Sequence, residues 1–201
     1  AIENANLKLD LELLFRDGLL ALVNLIEASD SYTRGHSERV TAYSGLIARE
    51  MDLGQEPLAL IETAGMLHDI GKIGIDGDII RKPSKLNDEE FLAIQRHPSI
   101  GFNAVKDIRQ LSHVLPGILN HHERFDGRGY PQKLVGVEIP LVARIIAIAD
   151  TYDAMTSTRP YRPALDREVA IQEIERCAGT QFDPMIVPFF IRAIRKNPAL
   201  F

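Results

Sequence analysis

Five histidines and two aspartates stand where a hydrolytic metal centre would draw its ligands. His36 opens a helical run, and His68-Asp69 closes an apolar one just before Gly71. His97 precedes Pro98, and His121-His122 ends a further run ahead of a glycine-rich stretch. Asp150 lies in the apolar segment Ile145-Ile146-Ala147-Ile148-Ala149-Asp150, where a carboxylate without a cation, donors or a metal would be costly. Imidazole and carboxylate without thiolate is the donor mix of iron, manganese, zinc, nickel or cobalt centres that hydrolyse their substrates. Neighbours on a regular helix point about 100° apart, so adjacent pairs such as His68-Asp69 fit a helix end, or a cluster in which one residue reaches two ions. A carboxylate can bridge two ions and an imidazole cannot, which makes Asp69 the natural bridge.

Each of these residues also has a plainer reading. A histidine near a helix end is more often a cap or a satisfied polar group than a ligand. Asp150 could be half of a buried ion pair, and Arg159 and Arg162 could be solvated surface arginines. Tyr130 could simply pack, and Asp153, one turn after Asp150, could be a helix-surface acid. His113 has no companion and reads as a surface side chain. Spacing alone leaves the metal site and these alternatives both open.

The elements that must carry the ligands read as helical almost throughout. Residues 7–28 show helical apolar spacing (Leu11, Leu14, Phe15, Leu19, Leu22, Ile26), interrupted by Gly18. A second helix is expected from about His36 to Met51, with Gly54 as its C-terminal cap. A third has Pro57 in its first turn, and another starts at Asn87-Asp88-Glu89-Glu90, a capping residue followed by acids. Further helices fit about 99–106, 109–120, 140–157, 166–177 and 184–196, with Asp166 and Asp183-Pro184 as caps for the last two. A short extended piece fits Asp78–Ile80, while 71–85 and 123–139 read as irregular. The expectation is an all-α fold.

The chain has 201 residues, 45% hydrophobic and 25% charged, enough for one well-filled core, and no linker-like tract divides it. The formal net charge of −5 argues against DNA or another general polyanion as partner, so an anionic ligand must meet local positive charge. The single cysteine, Cys177, cannot form an internal disulfide and suits a reducing, cytoplasmic setting. No apolar run is long enough to span a bilayer, no signal-peptide pattern opens the chain, and the start at Ala rather than Met suggests a part of something longer.

The stretch His68-Asp69-Ile70-Gly71-Lys72 resembles the signature of the HD phosphohydrolase superfamily. His121-His122-Glu123-Arg124-Phe125-Asp126-Gly127-Arg128-Gly129-Tyr130-Pro131 is similar to the extension that marks the HD-GYP family. Arg159-Pro160-Tyr161-Arg162, Gly35-His36-Ser37 and Phe182-Asp183-Pro184 match further blocks of that family, in its order, from about residue 28 to 187. Two letters are a weak signal; the whole set is specific.

The resemblance implies an HD-superfamily helical bundle with a metal site between helices, its ligands being His36, His68, Asp69, His97, His121, His122 and Asp150. Asp69 would bridge, and Lys72 would contact a phosphate. Some members hold a third metal with a Glu one turn before the first His; that position is Tyr32 here, with Asp30 two residues upstream, so two divalent ions are expected, iron first and manganese second. The implied activity is hydrolysis of cyclic di-GMP to linear pGpG, and in some members on to GMP, by a hydroxide shared between the ions. Asp69 and Lys72 are the expected catalytic residues. Lys72, Tyr130, Asp153, Arg159 and Arg162 are the expected substrate contacts, the arginines as forks for phosphate or a guanine edge and Asp153 through a group behind the ligands or Arg162. Alternatives are a cyclic-dinucleotide receptor with little turnover, or a phosphodiesterase for another cyclic dinucleotide; that none of the seven ligand positions is missing favours catalysis. Family members are commonly bacterial signalling outputs behind a sensor or receiver domain, some paired with diguanylate cyclase domains. Residues 1–28 then read as the end of a signalling helix able to form a homodimer, with 19–28 packing on a catalytic domain at 29–201.

Overall fold

Helices form where the apolar spacing places them, and most end at a residue the sequence marks. The computed structural model describes residues 2–29, 35–158 and 163–197. The first helix, α1 (Ile2–Ser29), turns Leu19 and Val23 into the core and leaves Leu22 and Leu25 exposed. α2 (His36–Glu50) follows Gly35, whose left-handed backbone (φ 71) costs glycine nothing. Gly54 does not close α2. The left-handed residue there is Asp52 (φ 56), an acid that tolerates this conformation, and Gly54 instead precedes α3 (Gln55–Leu67).

After His68-Asp69 the chain makes a 3-10 turn at Ile70–Gly74. Asp78–Ile80 is not extended: the Asp76 side chain accepts the Asp78 N–H and starts a single helical turn, α4 (Gly77–Ile80). Asn87 and Glu90 form a reciprocal capping box at the start of α5 (Asp88–Ile94). α6 (His97–Val105) has Pro98 in its first turn. The single helix expected over 109–120 is divided into a 3-10 turn at Arg109–Leu111 and α7 (Leu115–Asn120), because Pro116 has no N–H to carry a helix across the junction.

α8 (Leu141–Thr156) is the axis of the molecule. Ile145, Ile146, Ile148 and Ala149 are fully buried, so it is apolar around most of its circumference, as a helix enclosed by others must be. α2, α3 and α7 pack against it, joined by α9 (Arg167–Arg176), which Asp166 caps through the Glu168 N–H. α10 (Val187–Lys196) closes the core over α2. It starts a few residues later than expected, after a turn that Asp183 caps by accepting the Met185 N–H (2.8 Å) while its other oxygen holds Arg144 (2.5 Å). Tyr43, Tyr152 and Phe190 stack edge-to-face through the centre at 5.2 Å spacings. Among the described residues there is no strand, only an isolated bridge between Ala178 and Phe182, and the fold is all-α as the sequence implies. No helix among them is long and apolar enough to cross a membrane.

The irregular segment 123–139 is organised by one buried carboxylate. Glu123 is 3% exposed and accepts the backbone N–H groups of Gln132 (2.6 Å), Lys133 (3.0 Å) and Leu134 (3.1 Å). Hydrogen bonds to a charged acceptor contribute about 1.5–3 kcal/mol each. Glu123→Gln keeps one acceptor oxygen and turns an amide N–H₂ toward a donor. It should lower stability by about 2–4 kcal/mol in urea unfolding; an unchanged midpoint would show that the loop is held by other contacts.

Candidate metal centre

Four helix ends and one side of α8 deliver the seven expected ligands to a single place. His36 opens α2, His68 follows α3, His97 opens α6, His121-His122 follows α7, and Asp150 projects from α8. The close approach is set by backbone: a Cβ on Gly71 would stand 1.9 Å from the His97 carbonyl oxygen and 2.4 Å from the Gly101 nitrogen. Only glycine lets α6 lie directly on the turn that carries Asp69.

The donor atoms fall into two groups. His36, His68 and Asp69 offer ligand atoms within 4.8 Å of one another, and so do His97, His121 and His122. Asp69 reaches both. Its Oδ2 lies 3.5 Å from Nε2 of His36 and of His68, while its Oδ1 lies 3.1 Å from Nε2 of His97. Asp150 Oδ1 joins the first group, 3.4 Å from His36 Nε2. Lys72 Nζ sits 2.6 Å from Asp69 Oδ2.

The imidazoles are oriented from behind. His68 Nδ1 donates to Gly65 O (2.6 Å), His97 Nδ1 to Ile94 O (2.8 Å) and His121 Nδ1 to Ile118 O (2.9 Å), each a carbonyl three residues earlier. His36 Nδ1 donates to Asp153 Oδ2 (2.7 Å). In the neutral tautomers these bonds select, every Nε2 is a lone pair aimed into the cluster. Nε2 of His97 and His121 are 3.1 Å apart, and those of His36 and His68 3.3 Å. Facing lone pairs at such distances repel unless a cation lies among them. The donor set therefore fits divalent ions, and the bonds behind the rings are those that metal-binding histidines ordinarily make.

The charge states agree with that fit. Burial holds His68 below its ordinary value, His121 well below it, and His122 down to about 3 with help from His97. All three are neutral imidazoles at physiological pH. Burial would raise the carboxyls of Asp69 and Asp150, but Lys72 and His68 beside the first, and His36 and His68 beside the second, outweigh it and keep both ionised. At His36 burial opposes charge, yet Asp153, Asp69 and Asp150 together push it up to about 9.

Beside the cluster opens a cleft of about 720 Å³, within the range of small-molecule sites. His36, Asp69, His97, His122 and Asp150 form its floor, with Lys72 and Tyr130 beside them. The Tyr130 ring lies 4.8 Å from that of His122, at the cis Tyr130-Pro131 bond. Ile75, Ile79, Leu86 and Phe91 line the cleft together with Lys85. This wall is tied by Lys82 Nζ bonding both oxygens of Glu90 (2.7 and 2.6 Å).

Of the expected substrate contacts, Lys72 and Tyr130 face the cleft. Asp153 does not: its side chain is 2% exposed, with its oxygens taken by His36 and by Arg39 (Nε to Oδ1, 2.5 Å; Nη2 to Oδ2, 3.1 Å). It stands behind His36, one of the expected ligands. Arg159, Arg162, Tyr32 and Asp30 lie outside the described residues. Three residues not singled out from sequence matter here: Arg39, Glu123 and Glu27. Arg39 follows His36 by one turn, as Asp153 follows Asp150, and that paired spacing was the available signal. His113 is exposed, as expected.

Fold and donor set together define an all-helical domain built around a histidine–aspartate centre suited to divalent ions. The comparisons with known proteins give it a family. The HD domain family model matches residues 21–186, and the chain belongs to that family. The HD-GYP blocks, beginning at Gly35-His36-Ser37, start within the matched span. The chain is 39% identical over 179 residues to the cyclic di-GMP phosphodiesterase response regulator RpfG of Xanthomonas campestris, covering 88% of this chain and 47% of that protein. It is 41% identical over 183 residues to the cyclic di-GMP phosphodiesterase PA4108 of Pseudomonas aeruginosa, covering 90% and 44%. The chain thus spans about half the length of these curated relatives. A solved cyclic GMP-AMP specific phosphodiesterase of Vibrio cholerae shares the fold, with a TM-score of 0.70 at 21% identity over 90% of this chain and 49% of that one.

Proposed function

We propose that this domain is a metal-dependent phosphodiesterase that opens cyclic di-GMP to linear pGpG. The observation that carries the reading is the convergence of imidazole Nε2 lone pairs and two ionised carboxylates on the floor of an open cleft. His36, His68 and Asp150 would hold one ion and His97, His121 and His122 a second, with Asp69 shared; iron is the first choice and manganese the second. Bound ions at such a centre supply Lewis acidity and lower the pKa of the water they bind. The chain does the rest. Lys72 places a positive charge beside Asp69, where a phosphoryl oxygen gains negative charge. Asp153 and Arg39 hold the His36 tautomer, and Tyr130 borders the floor at the rim. Arg159 and Arg162 are proposed to take a phosphate or a guanine edge.

The cleft wall suggests where a purine goes. Phe91 is 50% exposed and lines the cleft, and base–aromatic stacking contributes about 1–3 kcal/mol per base. Phe91→Ala should raise KM for cyclic di-GMP about 10-fold with little change in kcat. Phe91→Trp should keep KM, and because the chain has no other tryptophan, its fluorescence should fall on binding. An Ala variant with unaltered KM would clear Phe91 of that role.

A cyclic GMP-AMP phosphodiesterase shares the fold, so a mixed cyclic dinucleotide is the second reading for substrate. Incubating metal-loaded protein with each dinucleotide and quantifying the linear product decides between them. Tight binding without product would make the domain a receptor. As an output domain it is read as cytoplasmic and as the partner of a sensor or receiver domain, with diguanylate cyclases as further partners. The exposed Leu7, Leu11, Leu14 and Leu25 of α1 recur at three-, four- and seven-residue multiples, which supports a signalling helix that pairs with a second copy.

A further inference from the structure

Glu27 is buried at 8% exposure on a helix that carries none of the seven ligands. Its Oε2 accepts the Gly35 N–H and its Oε1 the Ser37 N–H, both at 2.7 Å. Those two residues flank His36. The first N–H groups of a helix have no partner within it, and an ionised acceptor there makes strong bonds. His36 is thus fixed from two directions: its backbone by Glu27 of α1, its ring by Asp153, which Arg39 holds. α1 also packs on α3 and on the 3-10 turn beside His68-Asp69. Glu27, His36, Asp69 and Lys72 line one small cavity of about 10 Å³, room for about one water. α1 is therefore a wall of the centre.

We infer that Glu27 is a positioning residue through which α1 sets how tightly the His36 side of the centre holds its ion. The inference rests on the metal reading proposed above. Sliding α1 by one residue is a movement of about 1.5 Å along its axis, enough to break both 2.7 Å bonds and release His36 from its place. The face of α1 that carries Leu7, Leu11, Leu14 and Leu25 stays exposed, so a contact made there reaches a metal ligand through one side chain.

The test compares wild type, Glu27→Gln, Glu27→Ala and Asp183→Asn by Mn²⁺ titration, ion stoichiometry, thermal unfolding and cyclic di-GMP kinetics. Asp183 holds Arg144 and the Met185 N–H and is bonded to none of the seven ligands. Both Glu27 variants should bind one of two Mn²⁺ ions about 10-fold more weakly. Their kcat should return at saturating Mn²⁺ with KM unchanged, while Asp183→Asn loses thermal stability at unaltered Mn²⁺ affinity. If Glu27→Gln loses stability and keeps its Mn²⁺ affinity, the residue is only a helix anchor and the inference fails. Permanent loss of one ion at saturation would make Glu27 a ligand, which also overturns it. Wild type that binds Mn²⁺ but leaves cyclic di-GMP intact would sink the proposed function alone, since the affinity comparison does not use turnover. Wild type that binds no divalent ion would sink both.

Discussion

Asp69→Ala should lower cyclic di-GMP hydrolysis by at least about 10³-fold and reduce bound metal from two ions to one or none. Asp69 turns one carboxylate oxygen to each donor group, Oδ2 facing His36 and His68 and Oδ1 facing His97. Alanine leaves Asp150, which neighbours both His36 and His122, as the one carboxylate of the expected set. It also leaves the Lys72 ammonium, now 2.6 Å from Asp69 Oδ2, without that partner. Metal analysis beside a turnover assay checks both parts. Retained turnover with a full complement of ions would remove Asp69 from its bridging place.

The second large effect belongs to a residue outside the ligand set. Asp153→Asn should weaken divalent-ion binding by about 10–100-fold, the usual consequence of removing a carboxylate behind a ligating histidine. The physical cause is tautomeric. Asp153 accepts from both His36 Nδ1 and the Arg39 guanidinium. An asparagine amide can accept on only one side, and its N–H₂ must face the other. If it turns N–H₂ toward His36, the ring is driven to carry its proton on Nε2, and the lone pair that would meet an ion is gone. Mn²⁺ titration gives the affinity, and ¹⁵N NMR of the imidazoles reports the tautomer. Unaltered affinity with His36 still protonated on Nδ1 would show that Arg39 and the helix hold the ring without the carboxylate.

The all-α class and the HD family were legible because their signals are local: adjacent ligands at helix ends, caps at Asn87 and Asp166, and motif blocks in order. The seven expected ligands were picked out by residue type, and the folded chain brings these side chains together. The supports were not. Glu123 bonds three backbone N–H groups nine to eleven positions away, and Glu27 bonds two across the start of α2; nothing in a residue's type announces which backbone it will meet. Arg39 and Asp153 are 114 positions apart. The helical spacing that places Asp153 near Asp150 fixes its face but not its partner, so it read as a substrate contact. The extended piece at Asp78–Ile80 failed for the opposite reason, because a very local event, the Asp76 side chain bonding two residues on, outweighed a weak pattern.

The three rings anchored to carbonyls three residues upstream have a further consequence. His68 and His121 take their aim from the last turn of the helix each one follows, and His97 takes its aim from the end of α5, so it is helix backbone that orients the rings. Small zinc modules, by contrast, assemble only around their metal. A socket aimed by its own backbone would let an ion leave and return without unfolding the chain, so that the surroundings, rather than the folding event, would decide which ion it carries.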